Sequence, residues 1–153
     1  MYNENIHIVN ALAPDADALA GTKTSDVINM KNFGHCEFVV QKGVGTTGTS
    51  TITVLACDDA TPSTTSAIAF KYRACTSGDT FTALTAATTA GFTTTAGSNQ
   101  MYRIEVDAND LPDGYPFLQL KLVEVADDPV DAGVLAILTE PRYAQSINAT
   151  AIV

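Results

Sequence analysis

With 153 residues, 17 acidic and 8 basic side chains and a formal net charge of −9, the chain favours a single domain and lacks the Lys/Arg footprint that nucleic acid or an anionic membrane surface requires. Charged residues make up only 16% of the sequence, below the usual quarter or so, and Thr, Ser and Ala stand in their place, as in an extracellular or assembled β protein. A chain of this size buries roughly 70% of its unfolded surface, enough for a core without disulfides.

Residues 1–22 differ in character from the rest of the chain. Ile6-His7-Ile8-Val9 is an apolar strand or arm, and Ala13–Gly21 is a connector rich in Ala, Asp and Pro. No basic region leads into an apolar stretch here, so the expectation is cytoplasmic synthesis without a secretory signal. Nor does any segment approach the ~20 apolar residues of a membrane-spanning helix. Apolar side chains this close to a terminus point to docking. The candidates are the chain's own sheet, a neighbouring subunit or another protein.

The body, taken as residues 23–153, alternates short apolar segments with turns. Asp26–Met30 reads as a short strand and Cys36–Lys42 as a longer one. A Gly/Thr loop covers 43–49, with no Lys after its last Gly and no helix after it, which excludes a phosphate loop. Thr51–Leu55, Ala67–Arg73 and Met101–Val106 show the period-two alternation of strands with one face buried. Between the last two, residues 85–98 are Thr-, Ala- and Gly-rich, with Phe92 as the one large side chain, and read as a long loop holding a short strand. Residues 107–115 contain a helical turn or paired tight turns. In the strand from Phe117, Leu118, Leu120 and Leu122 share one parity and Val123 and Val125 the other, a slip that marks a β-bulge. Val134–Leu138 is apolar at both parities, so it is a central strand or one that meets a partner. The chain ends in an extended tail.

Eight or nine short strands with turns every 8–12 residues predict an all-β, single-domain β-sandwich, jelly-roll-like, with an N-terminal arm; an immunoglobulin-like sandwich is the alternative. The interface candidates are Ile6, Ile8 and Val9 in the arm, and Leu135 and Ile137 in the doubly apolar strand.

Reactive side chains are present without a reactive pattern. Cys36, Cys57 and Cys75 have no metal-type spacing and read as reduced, partly buried thiols. His35 and Cys36 are neighbours on a strand and so point to opposite faces, which disfavours a Cys–His nucleophile, although His7 is free to approach from the arm. Asp107, Asn109, Asp110 and Asp113 offer hard oxygens, but their spacing fails that of a helix-flanked calcium loop, and the same residues favour turns. Sugar-binding sandwiches present exposed aromatics. This chain has no Trp, leaving Tyr2, Tyr115 and Tyr143 as candidates. Asn148-Ala149-Thr150 matches the glycosylation pattern, which has meaning only in a eukaryotic secretory pathway. The expectation is a non-enzyme with no catalytic, cofactor or metal residues.

From Asp26 to Ala144 the chain resembles small structural proteins of tailed bacteriophages and prophages. The resemblance rests on Asp26-Val27-Ile28-Asn29-Met30-Lys31-Asn32-Phe33-Gly34-His35, on Ala67–Tyr72, on Tyr102–Ala108 and on Ala136–Ala144. It implies a virion component, most simply a capsid decoration (cement) protein made in the host cytoplasm and bound to the major capsid protein on the capsid surface. It also implies self-association, commonly as a trimer. The alternatives are a head–tail or tail accessory protein, or a phage receptor- or carbohydrate-binding module.

Overall fold

The computed structural model describes residues 2–143 and 149–152, with the side chains of Tyr2 and Asn3 excepted. Asn148 of the glycosylation pattern, the end of the resemblance at Ala144 and the Tyr2 ring therefore lie outside the described residues. After a short helix, α1 (Tyr2–Asn5), the regular structure of the chain is almost wholly strand. The strands are β1 (Ile6–Asp15), β2 (Thr22–Thr24), β3 (Ile28–Asn29), β4 (Phe33–Lys42), β5 (Thr49–Cys57), β6 (Thr65–Ile68), β7 (Phe70–Cys75), β8 (Thr85–Ala87), β9 (Phe92–Thr93), β10 (Gln100–Asp107), β11 (Phe117–Ala126) and β12 (Ala132–Pro141). A single 3-10 turn at Ala108–Asp110 is the helical turn expected after β10.

Two antiparallel sheets face one another. The first has the order β1-β12-β4-β10-β7-β8. The second runs β2-β11-β5-β6, with β3 added on β11 and β9 on β5. The period-two pattern sets which residues lie between them. In β4, Cys36, Phe38, Val40 and Lys42 point inward; in β10 Gln100, Tyr102, Ile104 and Val106 do so; in β12 Ala132, Val134, Ala136 and Leu138 do so. They meet Ile52, Val54 and Ala56 of β5 and Leu118, Leu120 and Leu122 of β11, forming one continuous core. The all-β sandwich is as the alternation predicts.

Three local expectations change. Residues 1–22 do not stand apart as an arm: β1 pairs antiparallel with β12 from Ile6↔Thr139 to Asp15↔Ala132, and its Val9 and Ala11 are buried in the common core. The segment Ala67–Arg73 is two strands in two sheets, since the chain crosses from the second sheet to the first at Ala69. The bulge in β11 falls between Glu124 and Ala126, two residues beyond the change of parity.

The end of the sandwich is closed by the 43–48 loop. Lys42 is only 2% exposed, and its Nζ donates to the carbonyls of Gly48 and Thr95, each at 2.8 Å. Asp128 accepts bonds from the Thr46 and Thr47 amides and the Thr46 hydroxyl at 2.9–3.1 Å. The glycines here serve close approach: a Cβ on Gly45 or Gly48 would lie 2.4–2.6 Å from Val130.

Candidate interface

Beta pairing brings together side chains far apart in sequence on the outer face of the first sheet. Ile8 lies opposite Ile137, and Asn10 opposite Leu135. On the other side of β12, Leu135 faces Val39 and Ile137 faces Glu37. Ile8 is 56% and Leu135 41% exposed, with Ile137 and Val39 half-buried between them. The result is an uncovered apolar stripe across β1, β12 and β4. In a sheet with one face in water those positions ordinarily carry polar residues. A groove of about 240 Å³ continues the stripe, lined by Leu12, Pro14, Val39, Gly133 and Leu135. Gly133 leaves it open, and Pro14 lies against the place where a side chain would stand.

Of the five interface residues expected from sequence, the structure gathers Ile8, Leu135 and Ile137 on this face. Ile6 lies at its margin opposite Thr139. Val9 is corrected: opposite Ala136 and 4% exposed, it is a core residue, because neighbours along a strand face opposite ways. Sequence reasoning missed Val39 and Leu12. The Val39-Val40 pair held the signal, since one of two adjacent apolar residues in a strand must face out.

Next to the stripe the same face is charged and internally paired. Arg103 of β10 grips Glu37 through Nε and Nη2 at 2.5 and 2.6 Å, and Arg73 lies 3.7 Å from Glu105. His35 Nδ1 is 2.8 Å from Asp107, and Lys71 of β7 lies opposite Glu105. Glu37, Glu105 and Asp107 are thus matched in number by Lys71, Arg73 and Arg103. The face is neutral on a chain of net charge −9.

The reactive side chains are each engaged elsewhere or buried. Cys36 is fully buried, and burial pushes its thiol far above the ordinary range. Cys57 is raised to about 11 by burial and by the nearby Asp58. His35 points outward to Asp107, and the His7 ring stacks on Phe33 at 6.0 Å. Among the described residues no three His, Cys, Asp or Glu side chains converge as metal ligands. Of the candidate sugar-stacking aromatics, Tyr143 is 73% exposed, and Tyr115 lines a separate cavity of about 350 Å³ with Lys31 and Arg142. Tyr72 and Tyr102 serve the core: Tyr72 stacks on Phe92 at 3.9 Å, and the Tyr102 hydroxyl donates to Gln100 Oε1.

Among known proteins, no family profile and no curated sequence matches this chain. The fold is similar to that of a solved structure, the SPBc2 prophage-derived protein YomS, with a TM-score of 0.51 and 12% identity. The similarity covers 89% of this chain and 94% of that one. A fragmentary likeness to infectious bursal disease virus, Gt strain, has a TM-score of 0.23 and 15% identity over 90% of this chain and 42% of that one.

Proposed function

We propose that this chain is a non-catalytic structural protein of a tailed-phage virion, a capsid decoration (cement) protein that binds the major capsid protein on the outer head surface and stabilises the shell. The observation that carries the reading is the outer face of the first sheet, a neutral surface with an uncovered apolar stripe on a domain of net charge −9. Such a surface suits attachment to protein and disfavours nucleic acid or an anionic membrane. The shared fold with a prophage-derived protein supports the phage setting. The deep burial of Cys36 and the engagement of His35 by Asp107 and of His7 by Phe33 favour a building block over an enzyme.

The test has two stages. Mass spectrometry of purified virions from cells producing the phage detects the chain at a fixed stoichiometry to the major capsid protein. Purified protein then rebinds shells lacking it and raises their melting temperature. Absence from virions, or shells that neither bind it nor gain stability, overturns the proposal. A head–tail or tail accessory role predicts instead a few copies per particle. A receptor module predicts binding to host cells through the cavity beside Tyr115.

A further inference from the structure

We infer that in the free protein, away from any shell, the uncovered apolar stripe is covered by a second copy of this chain, packed face to face about a two-fold axis near Ile8 and Leu135. The inference takes its surface from the preceding reading but does not depend on the virion role.

Charge decides the partner. Each copy carries −9, so two copies repel wherever their acidic surfaces meet. The outer face of the first sheet escapes this. From Ile6 to Leu12 of β1 and from Gly133 to Thr139 of β12 no residue is charged. The flanking acids Glu37 and Glu105 are already engaged by Arg103 and Arg73. Two copies meeting here bury no unpaired carboxylate and face no net repulsion at the contact.

Area agrees. Strands of ten residues in β1, β12 and β4 and eight in β10 form the face. At a spacing of about 4.8 Å and a rise of about 3.3 Å per residue, the flat patch is about 600 Å², before side-chain relief is added. A standard interface buries about 800 Å² per partner. The stripe is also off-centre, with the apolar part toward β1 and the ion-paired part toward β7.

Symmetry is set by the inventory of exposed apolar groups. A two-fold contact uses one self-complementary patch, whereas a ring such as a trimer needs two different complementary ones. Ile8 and Leu135 share this face. Among the described residues the other exposed large apolar side chains are Val44, Leu84, Val125 and Tyr143, which belong to loops, strand ends and the tail.

The experiment uses the full chain without shells. Sedimentation equilibrium at micromolar concentration reads a dimer, and its association strengthens as salt rises, because screening removes the repulsion between two −9 copies. Leu135→Glu and Ile8→Lys each weaken association by at least about tenfold, since a charge is buried in the contact. Circular dichroism confirms that these variants stay folded. Ile8→Cys and Leu135→Cys test the symmetry, because residues beside a two-fold axis meet their own copies. A bis-maleimide spanning about 10 Å, the spacing of two packed sheets, joins at least one of the two into a covalent dimer, while the buried native cysteines do not react. A wild-type monomer, a trimer, or association unchanged in both charge variants overturns the inference. So does failure of both cysteine variants to cross-link. Rebinding of the wild-type chain to shells, set beside its state in solution, distinguishes the two proposals. Monomers that still bind shells leave the decoration reading standing, and dimers that never bind shells leave only the two-fold contact.

Discussion

At the scale of single residues, a polar cluster around Lys42 and Asp128 fastens one end of the sandwich. Lys42 carries an ammonium at a core parity, and burial lowers its pKa while nearby Asp128 opposes that shift. The charge is tolerated because the Gly48 and Thr95 carbonyls accept from it. Lys42→Met keeps the stem and deprives both carbonyls of their donor. Urea unfolding is expected to show a loss of about 1–3 kcal/mol, the cost of unpartnered buried carbonyls. Asp128 is held down to about 2 from an ordinary value of 3.8, chiefly by the Thr47 amide and then by the Thr46 hydroxyl and amide. A depressed carboxyl stabilises the fold above its unfolded pKa, and that contribution fades as pH falls through the folded one. The melting-temperature gap between wild type and Asp128→Asn is therefore expected to be full at about pH 5 and to shrink steadily toward about pH 2. Gly91 is a third such position. Its φ is +76°, and a Cβ there would sit 2.0 Å from the Ile52 carbonyl oxygen. Gly91→Ala is expected to cost well over about 1 kcal/mol in the same assay, because strain and clash coincide and β9 can no longer seat on β5.

Among the elements, β1 and β12 carry the most consequence. The chain's first long strand pairs with its last, so β12 is covered at both edges, by β1 and β4. Deleting residues 1–12 removes Val9 and Ala11 from the core and leaves β12 as a bare apolar edge. A marked fall in melting temperature with aggregation is expected in calorimetry; an unchanged melting temperature would mean that β1 is dispensable to the sandwich. The alternation in Met101–Val106 and Leu118–Leu122 identified β10 and the first half of β11 without help. It could not reveal the crossing at Ala69. Ile68 and Phe70 have the same parity and are both buried, and a corner between two facing sheets keeps the inward side inward. The pattern therefore continues through the break. The β11 bulge was legible as a change of parity, but its position was set by pairing with β5, where Ala126 meets Thr49.

For the whole molecule, the joining of the two ends of the chain makes folding non-local. Stopped-flow refolding is expected in the millisecond-to-second range typical of such all-β topologies. Composition and alternation alone determined that this is an all-β domain with a core of its own and a weakly charged acidic surface, because burial period and charge count are properties of the chain itself. They also marked Ile8, Leu135 and Ile137 as apolar residues in want of cover. Only the tertiary structure decided which of the apolar candidates were already satisfied. Register placed Val9 against Ala136 in the core and left Ile8 against Ile137 outside. On the other side of β12, it set Val39 beside Leu135, and the pairing of β10 brought Arg103 diagonally to Glu37 and Glu105 diagonally to Arg73. A strand's sequence states that its two sides differ, or, in β12, that they do not. Which side meets the other sheet depends on partners far away along the chain, and that is decided only when the sheets close.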